Sequence, residues 1–229
     1  MNFIKNKYLV IIPARGGSKA IKDKNLSKFE DSNLISFAIK KFINQKFISS
    51  IIVSSDDDKI LNVASEFSEV ISLKRPKDLS DDLSKSEDAL THAINYANQN
   101  GIIFNSIIFH QCTSPLLKKP TIINMLKFYE NNKFDSVFTV VEEFNPIWRN
   151  VDDNLSILDE NKNERNPRQS RTPNYIETGG LYVMDKFVFN NHPTRFCGKT
   201  EKYVISKKES IDIDDAFDLE LARLIIKLN

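Results

Sequence analysis

The chain has 229 residues, and 32 Lys and Arg side chains against 31 Asp and Glu side chains leave a formal net charge of +1. This length supports one sizeable core, and a near-neutral balance without a basic run argues against a nucleic-acid partner. The three histidines and two cysteines lack zinc-type spacing, and two cysteines are too few for a disulfide framework, which favours a cytoplasmic setting. No apolar run is long enough to indicate a membrane partner.

Short apolar runs alternate along the chain with longer stretches of helical period. In chain order, the sequence predicts a strand at 8–12, a helix at 33–45, a strand at 51–53, a helix over 60–67, a strand at 70–73, a helix that starts with a capping box at 84–87 and closes at Gly101, a strand at 106–110, a helix at 122–129, strands at 136–141, 181–184 and 203–205, and a helix at 214–228. Repeated strand–helix units of this kind indicate an α/β fold around a mostly parallel sheet.

The periodicity fails between residues 142 and 177, where Asn, Asp, Glu, Arg and Pro dominate. We therefore interpret residues 1–229 as a single domain with 142–177 as an inserted arm. The arm has few large apolar residues and cannot bury itself, and such arms often pack on another subunit. The sequence thus predicts a homodimer.

Glycine is scarce, and four of the six glycines form two adjacent pairs, Gly16-Gly17 and Gly179-Gly180. A pair in such a chain indicates a requirement of the backbone. The first pair follows the first strand among Arg15, Lys19 and Lys24, so its N–H groups either cradle a polyphosphate or form a solvated basic turn. The second pair lies where the arm rejoins the sheet, and it marks either a close approach or a bulge.

Two carboxylates stand two residues apart near the C-terminus, at Asp212 and Asp214. In extended backbone they share one face, where an Mg²⁺ ion bound together with substrate phosphates would relieve their repulsion. The alternative interpretation is that Asp214 or Asp215 caps the terminal helix.

Further polar segments follow predicted strands or lie in the arm: Ser54-Ser55-Asp56, Arg75-Pro76, Gln111 to Leu116, and Arg168-Gln169. Together with residues 11–19, 24–26 and 212–214, they resemble the acylneuraminate cytidylyltransferases, a family that includes the CMP-sialic acid synthetases and relatives that activate other nonulosonic acids. The resemblance covers about residues 8 to 225. It implies a three-layer αβα nucleotide-diphospho-sugar transferase fold, a dimer whose arm closes the neighbour's sugar site, and Mg²⁺-dependent coupling of CTP to a 2-keto sugar acid with release of pyrophosphate.

The resemblance also implies roles for individual residues. CTP would be bound by Arg15, Gly16, Gly17, Ser18, Lys24, Asn25, Arg75 and Ser86. The sugar acid would be bound by Gln111, Arg168, Gln169 and Tyr175, with Arg168 on its carboxylate. Asp212 and Asp214 would hold the metal and form the catalytic set with Arg15 and Lys24.

Departures from the family pattern at Ala20, Cys112 and Thr178 concern the sugar half of the site. Trp148 stands where relatives that use plain sialic acid tend to have Lys, so it either forms a less polar wall for an altered acid of legionaminic type or packs the dimer. Two other functions stay open, namely a sibling enzyme that uses another nucleotide or a Kdo-type acid, and a non-catalytic nucleotide-binding protein. Retention of the catalytic set argues against the last.

Overall fold

A computed structural model describes residues 4–18, 20–81, 84–152, 154–158 and 167–228, so Lys19 and part of the predicted arm lie outside the described residues. The strands are Tyr8–Pro13 (β1), Lys28–Phe29 (β2), Ser32–Asn33 (β3), Ile48–Ser55 (β4), Val70–Lys74 (β5), Ser106–His110 (β6), Ser136–Glu143 (β7), Trp148–Val151 (β8), Asn154–Ile157 (β9), Asn174–Asp185 (β10) and Thr200–Val204 (β11). The α-helices are Leu34–Ile39 (α1), Asp58–Ser65 (α2), Ser86–Gln99 (α3), Lys119–Asn132 (α4), Lys186–Asn191 (α5) and Ala216–Lys227 (α6). In the described part of the chain, no helix is long and apolar enough to cross a membrane.

Seven strands form the central sheet in the order β11-β7-β10-β6-β1-β4-β5. All neighbouring strands are parallel except β10, which runs antiparallel to both β6 and β7. The mostly parallel sheet that the sequence predicts is therefore confirmed. The remaining strands form two small ribbons, β2 with β3 and β8 with β9.

Helices cover both faces of the sheet, because alternate residues of each central strand point to opposite sides. Tyr8, Val10 and Ile12 pack in one core with buried residues of α1, α2, α4 and α6. Leu9 and Ile11 pack in a second core with buried residues of α3 and with Phe189 of α5. The layers are thus αβα, as the resemblance implies.

The predicted C-terminal end of α1 and the predicted start of α3 are wrong. α1 begins directly after Asn33, whose side chain accepts the Ser36 N–H at 2.9 Å, but it ends at Ile39 rather than at the predicted residue 45. The chain then turns, and Asn44 adopts a φ of 62°, which a right-handed helix cannot accommodate.

The predicted capping box at 84–87 lies one residue too early, because the observed box runs from Lys85 to Asp88. α3 begins at Ser86, and the Asp88 carboxylate accepts the Lys85 N–H at 3.3 Å. The Ser84 hydroxyl donates instead to the Asp81 carboxylate at 2.7 Å. The predicted end is confirmed, because Gly101 has a φ of 71° directly after α3.

The predicted arm starts and ends inside the sheet. Residues 142 and 143 complete β7, and residues 174–177 begin β10 and pair with β7. Between them, β8 and β9 form a hairpin that carries exposed apolar side chains, including Trp148 and Leu155, which are 45% and 57% exposed.

Candidate active site

A cavity of about 360 Å³ opens beyond the carboxyl ends of the parallel strands, where open α/β sheets bind their ligands. Most residues predicted to bind CTP line it, together with the predicted metal carboxylates and Gln111: Arg15, Ser18, Lys24, Asn25, Arg75, Ser86, Gln111, Asp212 and Asp214. We call it the first cavity. Gly16 and Gly17 stand beside it in sequence but are not among its lining residues.

The loop after β1 presents cations to the first cavity. The Lys24 ammonium donates to the Ile213 carbonyl oxygen at 2.7 Å and lies 3.7 Å from an oxygen of Asp214. The buried Asn25 side chain donates to the Arg15 carbonyl oxygen at 3.0 Å and thereby fixes the loop. Two segments far apart in sequence are therefore joined at the cavity, and their basic and acidic side chains face each other.

Gly16 has a specific reason for lacking a side chain. A Cβ atom at this position would lie 2.6 Å from a carboxylate oxygen of Asp57, whereas one at Gly17 would meet no heavy atom within 4 Å. The Gly16 N–H donates to the Asp56 carboxylate at 3.1 Å. This N–H thus already binds an anionic oxygen, and its service to a phosphate stays a prediction.

Arg75 forms a buried cationic wall of the first cavity. Its Nε donates to the Ser80 hydroxyl at 2.8 Å, and its Nη2 lies 4.0 Å from the Asp56 carboxylate. Burial lowers the pKa of this guanidinium, and the charge of Asp56 partly offsets the effect. The side chain is therefore held in place before any ligand arrives. The sequence prediction missed Ser80 because a single turn serine carries no recognisable signal.

The two predicted metal carboxylates share the same face, as the alternation of extended backbone requires. Ile213 points into the core and donates its N–H to the Thr113 carbonyl oxygen at 2.8 Å, while Asp212 and Asp214 line the first cavity. The capping alternative applies to Asp215, whose carboxylate accepts the N–H groups of Phe217 and Asp218. Capping and cavity lining are thus performed by different residues.

Asp212 fits a cation ligand. Its Oδ1 is buried and accepts no hydrogen bond from the described residues. Burial, and then the charge of Asp214, raise the pKa of this carboxyl group. No group of three or more His, Cys, Asp or Glu residues that could hold a metal occurs among the described residues, and two carboxylates are the number that Mg²⁺ often takes from protein when phosphates supply the rest.

A second cavity, of about 480 Å³, adjoins the first and shares Gln111, Asp212 and Asp214 with it. Its other lining residues are Val141, Ile176, Glu177, Thr178, Gly179, Tyr182, Arg195 and Ser210. The shared residues therefore form a wall between two spaces, each large enough for a small molecule.

Gly179 lies at this shared wall. Both interpretations of the second glycine pair, a close approach and a bulge, apply to it. The pairing of β10 with β7 is interrupted between Glu177 and Tyr182, and Gly179 has a φ of 69°. A Cβ atom there would lie 2.6 Å from the Gln111 side-chain oxygen and 3.3 Å from a carboxylate oxygen of Asp212. The irregular backbone and the close approach occur at the same residue.

Three predicted sugar-binding residues line neither cavity of their own chain. Arg168 follows the residues that are not described and lies over the Phe144 ring, 5.5 Å from its centroid. Tyr175 is exposed beside Lys202, whose ammonium lies 4.4 Å from the ring centroid. Gln169 lies in the same short 3₁₀ turn as Arg168. Of the predicted sugar-binding residues, only Gln111 lines either of these two cavities.

His110 and Cys112 are packing residues, as their positions in the sequence indicate. The fully buried His110 donates through Nδ1 to the Gly180 carbonyl oxygen at 2.6 Å, and burial lowers its pKa to about 3. Burial raises the pKa of the Cys112 thiol to about 12. Neither side chain is poised as a base or a nucleophile near neutral pH.

Comparison with known proteins identifies relatives over nearly the whole chain. Residues 9–226 match the sequence model of a family described as cytidylyltransferase. A pseudaminic acid cytidylyltransferase of Campylobacter jejuni is 31% identical, with 97% of each chain covered. An N-acylneuraminate cytidylyltransferase of Escherichia coli is 29% identical over 96% of this chain and 52% of its own, and a CMP-N,N'-diacetyllegionaminic acid synthase of Legionella pneumophila is 25% identical over 97% of each.

Solved structures share the fold at low sequence identity. The structure of a CMP:2-keto-3-deoxy-manno-octonic acid synthetase complexed with CTP has a TM-score of 0.69 at 14% identity, and covers 97% of this chain and 99% of its own. A 4-diphosphocytidyl-2C-methyl-D-erythritol synthase has a TM-score of 0.73 at 11% identity with the same coverage. The likeness establishes the architecture.

Proposed function

The chain belongs to the cytidylyltransferase family, and we propose that it couples CTP to a nonulosonic acid, forming a CMP-sugar and releasing pyrophosphate. The observation that carries this proposal is the pair of adjoining cavities that share Gln111, Asp212 and Asp214. A group transfer between two substrates requires that both meet at one place, and the shared wall provides it.

The first cavity suits CTP. Arg15 and Lys24 bring positive charge for the phosphates, and we expect Arg75, fixed by Ser80, to bind the cytidine portion together with Ser86. The N–H of Gly16, which now donates to a carboxylate, would serve as a further phosphate donor.

In the reaction, an oxygen of the acceptor's anomeric hydroxyl attacks the α-phosphorus of CTP. A new oxygen–phosphorus bond forms as the bond to the bridging oxygen of pyrophosphate breaks, the hydroxyl proton passes to solvent, and negative charge builds on the departing pyrophosphate. Lys24 and Arg15 stabilise that charge, because phosphoryl-type transfer depends on positioning and electrostatics. Asp212 and Asp214 would hold Mg²⁺, which when bound stabilises the phosphate charge and lowers the pKa of the attacking hydroxyl.

The acceptor we propose is a bacterial nonulosonic acid of pseudaminic or legionaminic type. Support comes from two relatives, a pseudaminic acid cytidylyltransferase of Campylobacter jejuni at 31% identity and a CMP-N,N'-diacetyllegionaminic acid synthase of Legionella pneumophila at 25% identity. Ile176 and Val141 give the second cavity an apolar portion that suits an acyl or deoxy group. The Kdo-type alternative draws only on a fold likeness at 14% identity.

We further propose that the enzyme acts as a cytoplasmic homodimer in which the arm of one subunit completes the partner's second cavity. Arg168, Gln169 and Tyr175 line neither of the two cavities described above, so we propose that they reach the sugar from another subunit. The exposed apolar side chains of the β8–β9 hairpin support an interface on this segment.

The test is pyrophosphate release by the purified protein with CTP, Mg²⁺ and a panel of pseudaminic, legionaminic, N-acetylneuraminic and Kdo acids, repeated with GTP and UTP. Selective turnover of CTP with a nonulosonic acid is expected, and preference for Kdo or another nucleotide would favour the sibling enzyme. Lys24→Ala should lower turnover at least about 100-fold, whereas Lys28→Ala, which removes an exposed lysine outside both cavities, should not. Absence of pyrophosphate above a control with every acid would refute the proposal.

A further inference from the structure

The second cavity contains a guanidinium that the sequence did not predict and that the transfer step does not use. Arg195 comes from the segment between α5 and β11 and lines the second cavity. Its Nε donates to Glu87 of α3 at 2.9 Å, and its Nη2 donates to the other carboxylate oxygen at 3.4 Å. The guanidinium also lies over the rings of Phe109 and Tyr182, 5.4 and 5.0 Å from their centroids. These contacts fix its plane.

The ion pair with Glu87 decides what Arg195 can recognise. Glu87 balances its charge and uses two of the five N–H donors that a guanidinium carries. The side chain therefore offers directional donors with little net charge, which suits a neutral oxygen such as a carbonyl better than it suits a second carboxylate.

Glu177 supplies the complementary group on the same side of the cavity. Its carboxylate accepts a hydrogen bond from the Tyr182 hydroxyl. The Arg195 guanidinium packs over the ring of the same tyrosine, so one tyrosine positions both charged side chains. An ionised carboxylate only accepts hydrogen bonds. With Asp212 and Asp214 it makes three carboxylates around the cavity, so the acceptor's own carboxylate is repelled from this side.

A donor with little net charge beside a pure acceptor matches one common substituent, the acylamino group, which has one carbonyl oxygen and one N–H. We propose that Arg195 and Glu177 are specificity residues that bind an acylamino substituent of the acceptor acid. The guanidinium donates to the carbonyl oxygen and the Glu177 carboxylate accepts from the N–H. This inference rests on the proposed function and extends it from the acid class to a substituent.

The experiment compares the best acylamino acid of the panel with its de-N-acylated form, at saturating CTP. Arg195→Ala should lower kcat/KM for the acylamino acid about 10- to 100-fold, the effect of losing a hydrogen bond from a charged donor. It should lower kcat/KM for the de-N-acylated acid less than about 3-fold, because no carbonyl oxygen is left to bind, and should leave the KM for CTP within about 2-fold.

Two further variants keep the result decisive. Arg223→Ala is the matched control. It removes an arginine that is paired with Glu220 outside both cavities, and it should leave kcat/KM unchanged for both acids. Glu177→Ala removes an exposed side chain, so folding is preserved, and should lower kcat/KM for the acylamino acid about 3- to 30-fold with an unchanged KM for CTP.

Equal losses for both acids in Arg195→Ala, with an unchanged thermal midpoint, would overturn the inference while leaving the proposed function intact. If Arg195→Ala unfolds, full retention of acylamino turnover in Glu177→Ala would overturn it instead. A parent protein inactive with every acid would overturn the proposed function itself, which is a different outcome of the same assay.

Discussion

Replacing Gly179 by alanine tests whether the shared wall must be built around a glycine. The new Cβ atom would lie 2.6 Å from the Gln111 side-chain oxygen, about 0.8 Å short of ordinary contact. The φ of 69° adds a backbone cost of about 1–2 kcal/mol for any L-residue with a side chain. Gln111 must therefore move away, and Asp212, at 3.3 Å, has little room to compensate.

The magnitude follows from these two terms. For a chain of this size, 1–2 kcal/mol lowers the thermal midpoint by about 2–8 °C. A displacement close to 1 Å at the residues that position the substrates costs up to about 100-fold in rate. We expect kcat/KM for the acceptor acid to fall about 10- to 100-fold in Gly179→Ala.

Gly101 provides the matched control, because it has a φ of 71° and open space where its Cβ would stand. Gly101→Ala should lower the thermal midpoint by a similar amount and leave turnover unchanged. Calorimetry and a pyrophosphate-release assay on both variants separate backbone strain from the close approach. Equal kinetic losses in the two variants would refute the role assigned to Gly179.

Three further predictions follow from single side chains. Asp212→Asn should lower turnover at least about 100-fold yet stabilise the metal-free protein near neutral pH. Burial and the charge of Asp214 raise the pKa of the Asp212 carboxyl group, so the gain in stability should disappear as the pH falls below that pKa. Denaturant melts at several pH values measure this gain. Asp215→Ala should retain turnover but lower the free energy of unfolding by about 1 kcal/mol in the same melts, because the cap of α6 is lost. Burial lowers the pKa of Lys41 to about 7, so above that pH the unfolded chain binds a proton that the folded protein lacks. The stability of the parent protein relative to Lys41→Met should therefore rise with pH up to the ordinary lysine range. A stability difference that stays constant with pH would contradict this prediction.

The sheet could be predicted because the determining signal is local. Each central strand is a continuous apolar run, as in Tyr8 to Ile12, and burial on both faces requires that pattern. The length of α1 could not be predicted, because distant residues interrupt its periodicity. Lys41, which continues the helical pattern in the sequence, donates to the carbonyl oxygens of Pro115 and Leu117 at 2.5 and 2.9 Å. Nothing within the segment itself indicates those acceptors.

The same distinction applies to the candidate site. Arg75 and Gln111 directly follow strands and Arg15 lies two residues after β1, so their convergence at one edge of the sheet follows from topology. Arg195 follows no strand, and its position is defined by Glu87, 108 residues away in the chain. A sequence pattern indicates which residues end a strand, but it does not indicate which side chain a loop will bring against the opposite wall.

The two glycine pairs differ in which neighbouring residues exclude a side chain. Gly16 is required by a neighbouring loop, since the three heavy atoms nearest to a Cβ atom there all belong to Asp57, which lines neither cavity. Gly179 is required by the wall between the cavities, since its nearest neighbours are Gln111 and Asp212, which line both. A side chain at Gly179 would act on the place where we propose that both substrates meet, whereas one at Gly16 would act first on the anchoring of its loop. The two glycine pairs thus contain two separate close approaches, and the one at Gly179 bears directly on the proposed transfer step.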